Sequence, residues 1–279
     1  MNTNPMLRGT VLQAMQSPDS NHTFVVLAYG DSPYLGECIA SLKAQTVPSD
    51  ILISTSTPSP DLARIARAHD IRVFVNGGKN TIASDWSFGY RSARTRYVTL
   101  AHQDDIYYPR YTERCLAEAG PFKQNLITFT DYHELVGDRK TGFRANLVVK
   151  KMILFPFFMA NRNLESRLFK KWMLSFGSPI SCPTVMYHKE AIGEFGFSND
   201  FIINLDWEAW IRLAERAGDF VFIKERLMAH RIHEESATTR GIEAGVREAE
   251  DTALFSRIWG PAAGRLLAWL YGFSYFSIG

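Results

Sequence analysis

Four short apolar runs, TFVVLAY (23–29), ILI (51–53), IRVFV (71–75) and YVTLA (97–101), alternate with segments whose apolar residues recur at helical spacing. Near-continuous apolar runs of this length are what strands buried on both faces require, and such strands come joined by helices. Ser32–Pro33 and Ser59–Pro60 each read as a helix cap followed by proline in the first turn. Leu35, Ile39 and Leu42 then form one inward stripe, and Leu62, Ile65 and Ala66 another. A third helix is expected over 81–93. The order β-α-β-α-β-α-β predicts an α/β fold with a mostly parallel central sheet, helices on both faces, and ligands bound beyond the carboxyl ends of the strands.

The second half is less regular. LITFTDY (126–132) reads as a strand, as does SCPTVMYH (181–188), where Pro183 suggests an edge or an irregularity. DWEAWIRLAERAG (206–218) predicts a helix with Gly218 as its stop, followed by two short strands, DFVFI and RLMAHRIH. A helix over 243–258 and an apolar tail over 261–276 close the chain. With 279 residues the length suits one large domain or two small ones.

A net charge of +2 gives no reason to expect a nucleic-acid partner. Cys38, Cys115 and Cys182 lie far apart and fit neither a metal spacing nor a disulfide framework, which points to a reducing compartment. The first 22 residues have no signal-peptide core, and no apolar run reaches the ~20 residues that span a bilayer. The expected location is cytoplasmic.

The fourth strand runs into HQDDIYYP, which sets Asp104 beside Asp105 at a strand end. Two adjacent carboxylates repel. Four arrangements relieve that: a bound proton, exposure to water, the dipole of a helix starting near Pro109, or a hard divalent cation that prefers oxygen ligands and leaves positions for substrate phosphates.

Four blocks in order resemble the family 2 glycosyltransferases, which share the GT-A fold. VVLAYGDSPYLGECIASLKAQT is similar to the family's opening strand and helix, and HQDDIYYP to the acidic motif of its rhamnosyltransferase-like members. NLDWEAWIRLA and HRIHEES resemble two later blocks. The resemblance implies a Rossmann-like GT-A glycosyltransferase domain over 1–240, with a nucleotide-binding half at about 23–108 and an acceptor half at about 109–240. A helical C-terminal extension, 241–279, would follow.

Carried over residue by residue, the resemblance implies that Asp104 binds Mn²⁺ or Mg²⁺ on the donor diphosphate, with Asp105 and His233 as further metal contacts. His102 stands where the family's ribose-binding acid is expected, with Gln103 beside it. Ser54 and Thr55 stand where a base-binding carboxylate is expected; Ala28 and Tyr29 flank the base, and Asp85 and Trp86 lie under the nucleotide. Arg231 would grip diphosphate oxygens in a fork. Asp206 would be the base that takes the acceptor hydroxyl's proton during an inverting transfer. Read without the resemblance, Asp206 is as readily a helix N-cap. The family implies a nucleotide-sugar donor, UDP- or dTDP-linked, and a glycan or lipid-linked acceptor in cell-surface polysaccharide synthesis.

Residues 147–177 carry Lys150, Lys151, Arg162, Arg167, Lys170 and Lys171 against Glu165 alone, interleaved with Phe155, Phe157, Phe158, Phe169 and Trp172. This mixture suits the inner face of a membrane, and it equally suits a helical pair with solvated lysines. The tail 261–279 would pack on the domain, lie on lipid or form an oligomer contact. A non-catalytic nucleotide-sugar binding module is the rival reading, because acids expected at 54–55, 102 and 205 are replaced. A nucleotidyltransferase is disfavoured, since AYGDSPYLG contains no Arg or Lys.

Overall fold

The structure is a computed structural model and describes residues 20–273 apart from 123, 143, 235–240 and 242–243. The first half follows the expected alternation: β1 (His22–Ala28), α1 (Leu35–Lys43), β2 (Asp50–Thr55), α2 (Pro60–Ala68), β3 (Arg72–Val75), α3 (Ile82–Ser92) and β4 (Tyr97–His102). Then come β5 (Ile106–Tyr107), α4 (Tyr111–Ala119), β6 (Asn125–Val136), β7 (Arg139–Thr141), α5 (Ala145–Phe158), β8 (Asn163–Leu164) and α6 (Arg167–Leu174). The chain continues through β9 (Val185–His188), α7 (Lys189–Ile192), α8 (Leu205–Ala214), β10 (Asp219–Ile232), α9 (Val246–Trp259) and α10 (Pro261–Gly272).

These strands form one sheet in the order β3-β2-β1-β4-β9-β6-β10-β5, with β7 and β8 added beside β6 and β10. β1 to β4 are parallel, β6 and β10 are parallel to each other, and β9 runs antiparallel between β4 and β6. Alternation along β1 explains the layers. Phe24 and Val26 point into a core with α1, α2 and α4, while Val25 joins a second core with α3, α5, α6, α8 and the two C-terminal helices. Helix α3 can lie this close to β1 because residue 89 is glycine; a Cβ there would sit 2.9 Å from Leu27 and 3.1 Å from Val25.

Four local expectations are corrected. Helix α1 starts at Leu35 with Tyr34 before it, so Ser32–Pro33 precedes the helix instead of capping it. Ser59 does cap α2, accepting from the Leu62 N–H with Pro60 in the first turn. Pro183 lies in a 3₁₀ turn ahead of β9, which is central in the sheet and not an edge. The two strands expected over 219–233 are one strand, β10, which keeps pairing with β6 through register shifts around 223–229. Helix α8 ends at Ala214, before Gly218. At that glycine φ is +124°, and a Cβ would meet the Gln124 carbonyl oxygen at 2.3 Å, so the turn into β10 excludes a side chain. All three cysteines are free and buried. Among the described residues no helix is long and apolar enough to cross a membrane.

Candidate active site

The parallel strands β1, β2 and β4 end on one side of the sheet, and the loop after β4 carries the acidic pair. Its two carboxylates have separate fates. Asp104 Oδ2 lies 2.8 Å from His233 Nε2. Burial pushes the Asp104 carboxyl up, but the hydrogen bond from His233 and the imidazoles of His102, His230 and His233 outweigh it and hold the group below its ordinary value. Asp105 is fully buried, and its Oδ1 accepts from His230 Nδ1 and from the Arg231 backbone N–H, both at 2.9 Å. Neither the water nor the helix-dipole reading of Asp105 survives, because β10 closes over it.

Arg231 is 7 % exposed, and its guanidinium is occupied by the protein. Nε donates to the Asp104 carbonyl at 2.9 Å, Nη2 meets Glu37 at 2.6 Å, and the group stacks 4.2 Å above the Tyr34 ring. The fork expected to hold diphosphate therefore ties the acidic loop to α1. Tyr34 also packs against His233, with ring centroids 5.4 Å apart. Glu37 and Tyr34 were not singled out from the sequence; nothing local marks a partner of Arg231 nearly two hundred residues away. Ser236 lies outside the described residues.

His102, Asp105 and His230 bring their ligand atoms within 4.8 Å of one another. Asp105 Oδ2 and His102 Nε2 are buried with no hydrogen-bond partner. Burial lowers the His102 pKa against the opposing pull of Asp105 and Asp104, so its imidazole is neutral and able to donate a lone pair. Burial also acts to lower His230, but the charge and hydrogen bond of Asp105 prevail and raise it to about 9. Orphaned carboxylate oxygen, neutral imidazole and the ionised Asp104 beside them form a donor set that fits a divalent cation of the Mn²⁺ or Mg²⁺ type. His230, outside the set expected from sequence, lies beside it because Asp105 faces β10, and its protonated ring braces the Asp105 carboxylate.

At the end of β1, Ala28 is buried and Tyr29 is 61 % exposed. Gln103 braces that turn, accepting from the Tyr29 N–H at 3.2 Å and donating to its carbonyl at 2.9 Å. Ser54 and Thr55 are both buried; Ser54 packs where α3 crosses the sheet at Gly89, and Thr55 Oγ1 accepts from the Thr57 N–H at 3.0 Å. The hydroxyls at this strand end are instead Ser56 and Thr57. Ser56 donates to Asp85 Oδ2 at 2.6 Å, and Asn76 donates to Asp85 Oδ1 at 2.8 Å, while Thr57 accepts from the Gly30 N–H at 2.7 Å. Trp86 lies against His102, centroids 5.0 Å apart, and against Phe197 at 5.1 Å.

Asp206 sits in the first turn of α8, not at its cap; Asn204 holds that position, and Asp206 Oδ1 accepts from the Trp207 N–H at 2.7 Å. Burial raises its pKa, opposed by the Arg247 and Lys150 cations. Asp206 lies within electrostatic reach of His102, where the acidic loop begins. Lys150 bonds the Tyr132 hydroxyl at 3.0 Å, and its own pKa is lowered by burial. The turn ahead of Asp206 is clamped from α9: Glu250 accepts from the N–H groups of Ile202, Ile203 and Asn204 at 2.6, 2.9 and 2.8 Å, and Asp251 accepts from the Asn204 amide at 2.8 Å. The sequence gives no sign of this clamp, because Glu250 reads as an ordinary exposed position on a charged helix.

The family model for glycosyl transferase family 2 matches residues 23–176, a little over half of the chain. The chain belongs to that family. No curated protein matches it. Among solved structures this glycosyltransferase is similar to S. aureus TarS 1–349, with a TM-score of 0.59, 10% identity, and 92% of this chain and 71% of that one covered. It is also similar to glucosyl-3-phosphoglycerate synthase from Mycobacterium tuberculosis in complex with Mn²⁺ and UDP-glucose (TM-score 0.57, 14% identity, 85% of this chain and 78% of that one). The mannosyltransferase PcManGT from Pyrobaculum calidifontis, in complex with GDP-mannose and Mn²⁺, gives a TM-score of 0.57 at 10% identity, covering 98% of this chain and 80% of that one. At these identities the likeness carries the fold, which is GT-A: a mostly parallel central sheet flanked by helices, with helices at the C-terminus.

Proposed function

We propose that this glycosyltransferase moves a sugar, with inversion, from a UDP- or dTDP-linked donor to a hydroxyl of a glycan or lipid-linked acceptor in cell-surface polysaccharide synthesis, working peripherally at the membrane. The single observation that carries the reading is the cluster of His102, Asp105 and His230, with ligand atoms within 4.8 Å of one another and a buried Asp105 oxygen left without a partner; Asp206, a buried carboxyl within electrostatic reach of His102, supports it. TarS and glucosyl-3-phosphoglycerate synthase in complex with UDP-sugars, and PcManGT with GDP-mannose, support a nucleotide-sugar donor. Residues 1–240 then act as the transferase domain, and 241–279 as an extension that buttresses the acceptor side.

Asp104, Asp105, His102 and His233 would hold Mn²⁺ or Mg²⁺, with His230 bracing Asp105. Such a cation neutralises the charge that grows on a departing nucleoside diphosphate. The chain's own groups do the rest. Asp206, on the acceptor side, takes the hydroxyl proton as the oxygen attacks the anomeric carbon. Its raised pKa makes it a stronger base than an ordinary carboxylate. Tyr29, Gln103, Asp85 and Trp86 line the donor side, with Ser56 and Thr57 in the place first given to Ser54 and Thr55.

A panel of UDP-, dTDP- and GDP-sugars, with and without Mn²⁺, tests this by thermal shift and donor hydrolysis. The reading requires one donor class to raise Tm in a Mn²⁺-dependent manner and to be hydrolysed slowly. Binding without turnover, unaffected by Asp206→Asn, would support the binding module instead. No donor raising Tm would overturn both.

A further inference from the structure

We infer that α5, α6 and α10 form a docking face for an anionic phospholipid bilayer. This deepens the proposed function by naming the surface on which a lipid-linked acceptor would be met, but the face itself stands on the structure alone. Each of the three helices buries one apolar stripe and exposes another. On α5, Leu147, Leu154 and Phe158 face the core, while Val148, Met152 and Phe155 are 41, 68 and 61 % exposed. On α10, Gly264, Ala268 and Tyr271 pack inward, and Leu266, Trp269, Leu270 and the adjoining Phe273 are each at least half exposed at helical spacing. On α6, Lys170, Met173 and Leu174 are buried, while Leu168, Phe169 and Trp172 are exposed.

A soluble helix exposes its polar face; three that expose a second apolar face are built to meet something apolar. The α6 stripe runs on to the end of α9: Trp172 contacts Phe176 and Phe176 contacts Trp259, with ring centroids 6.4 and 5.8 Å apart, and Trp259 is followed in the chain by α10. A groove of about 790 Å³ between α5 and α6 shares Met152, Phe169, Trp172 and Phe176 with this surface.

Charge selects the occupant. Arg162, Arg167, Lys171 and Arg265 are exposed on and beside these helices, with Lys151 half-buried, and the only acid within 147–177 is Glu165. Asp131, Glu118 and Glu215 pair with Lys151, Arg162 and Lys171 from neighbouring elements, which leaves Arg167 and Arg265 against Glu165, a small basic excess. Lys150 and Lys170 turn inward and do not contribute: Lys150 reaches Tyr132, and Lys170 donates to the Arg216 and Gly218 carbonyls. Aromatic and aliphatic side chains rimmed by cations match the interface of a negatively charged leaflet, where rings enter the headgroup region and cations meet phosphates.

The test is co-sedimentation of the full chain with vesicles of phosphatidylcholine alone and with vesicles in which about a quarter of the lipid is phosphatidylglycerol. We expect about tenfold more binding to the anionic vesicles, weakened by salt, and a blue shift of tryptophan emission on binding. Phe155→Ser with Trp269→Ser should cut binding about tenfold, and Arg167→Glu with Arg265→Glu should remove the preference for phosphatidylglycerol. Both pairs are exposed and remote from the site, so the donor-induced Tm shift should survive and certify the fold. Absence of binding to either vesicle, or binding that the variants leave unchanged, overturns the inference. So does a concentration-dependent dimer that the same variants dissolve, since the face would then be a contact between copies of the chain. Vesicle binding without any donor shift would sink the transferase reading and leave the face standing.

Discussion

The candidate carboxylates are held in opposite ways. Asp104 and Asp105 are cross-braced by β10 and the residue that follows it: His233 takes one, and His230 with the Arg231 N–H takes the other. Asp206 has a single backbone bond from its own helix, and the order is supplied at one remove, by Glu250 gripping the turn ahead of it. The first arrangement stabilises the charged form of Asp104; the second leaves a buried carboxyl whose charge is only partly answered by Arg247 and Lys150. A metal-binding carboxylate has to be ionised at rest, whereas a base works best with its pKa displaced towards the working pH.

The largest test of this contrast changes each carboxylate to its amide. Asp206→Asn should lower transfer by about 10³-fold while donor binding persists. It should also raise Tm at neutral pH, because the folded state disfavours the charge that the substitution removes. Asp104→Asn should lower both transfer and the Mn²⁺-dependent donor shift, and should lower Tm, since a carboxyl whose folded pKa is depressed contributes stability above its ordinary value. Opposite signs of the Tm change are the decisive result; two changes of the same sign would erase the contrast. The acid limb of kcat/KM should lie above the range of an ordinary carboxylate in the wild type, with activity falling as Asp206 is protonated.

A smaller effect sharpens the acceptor side. Glu250→Gln exchanges an ionised acceptor for a neutral one beneath three backbone N–H groups. A loss of about 1–3 kcal/mol in urea denaturation is expected. If the clamp positions Asp206, kcat should fall about tenfold with the donor KM unchanged. A purely structural clamp would lower stability and leave kcat alone.

These contrasts also explain what the sequence disclosed. Strands β1, β2 and β4 were readable because a parallel strand buried on both faces needs an unbroken apolar run; β3, half-buried at the sheet edge, keeps such a run as well, and the Ser59–Pro60 cap was readable because all of its parts are local. Ser32–Pro33 misled because the helix waits for Tyr34, which is held under Arg231. Two short strands were expected over this stretch, yet a shift of register let β10 continue and deliver His230 and Arg231 to the acidic loop. Asp104 and His233 were named together and lie 2.8 Å apart, while Asp105 clusters with His102 and His230; Ser54 and Thr55 are buried along β2, and Ser56 and Thr57 follow them at the strand end. Partners that meet only through the fold, such as Arg231 with Glu37 or Glu250 with the 202–204 turn, leave no local signal.

The smallest predicted effect belongs beneath the donor side, at His22. This imidazole is fully buried at the start of β1, bridging Ser49 Oγ at 2.9 Å and Thr99 Oγ1 at 3.0 Å, and Thr99 in turn meets the Tyr111 hydroxyl at 3.1 Å. Burial lowers its pKa from 6.5 to about 3. The unfolded chain therefore takes up a proton that the folded chain excludes, so the contribution of His22 is complete above pH 6.5 and is lost as pH falls towards 3. The slope at its steepest is about 1.4 kcal/mol per pH unit. His22→Gln keeps an amide for the two hydroxyls but cannot titrate. It should cost about 1 kcal/mol at pH 7 and show a flatter decline on acidification, so that the two stability curves cross a little below about pH 6. Parallel curves in urea denaturation across this range would mean that the imidazole is protonated in the folded state, and that the donor half is not the dry, preformed platform on which the braced carboxylates depend.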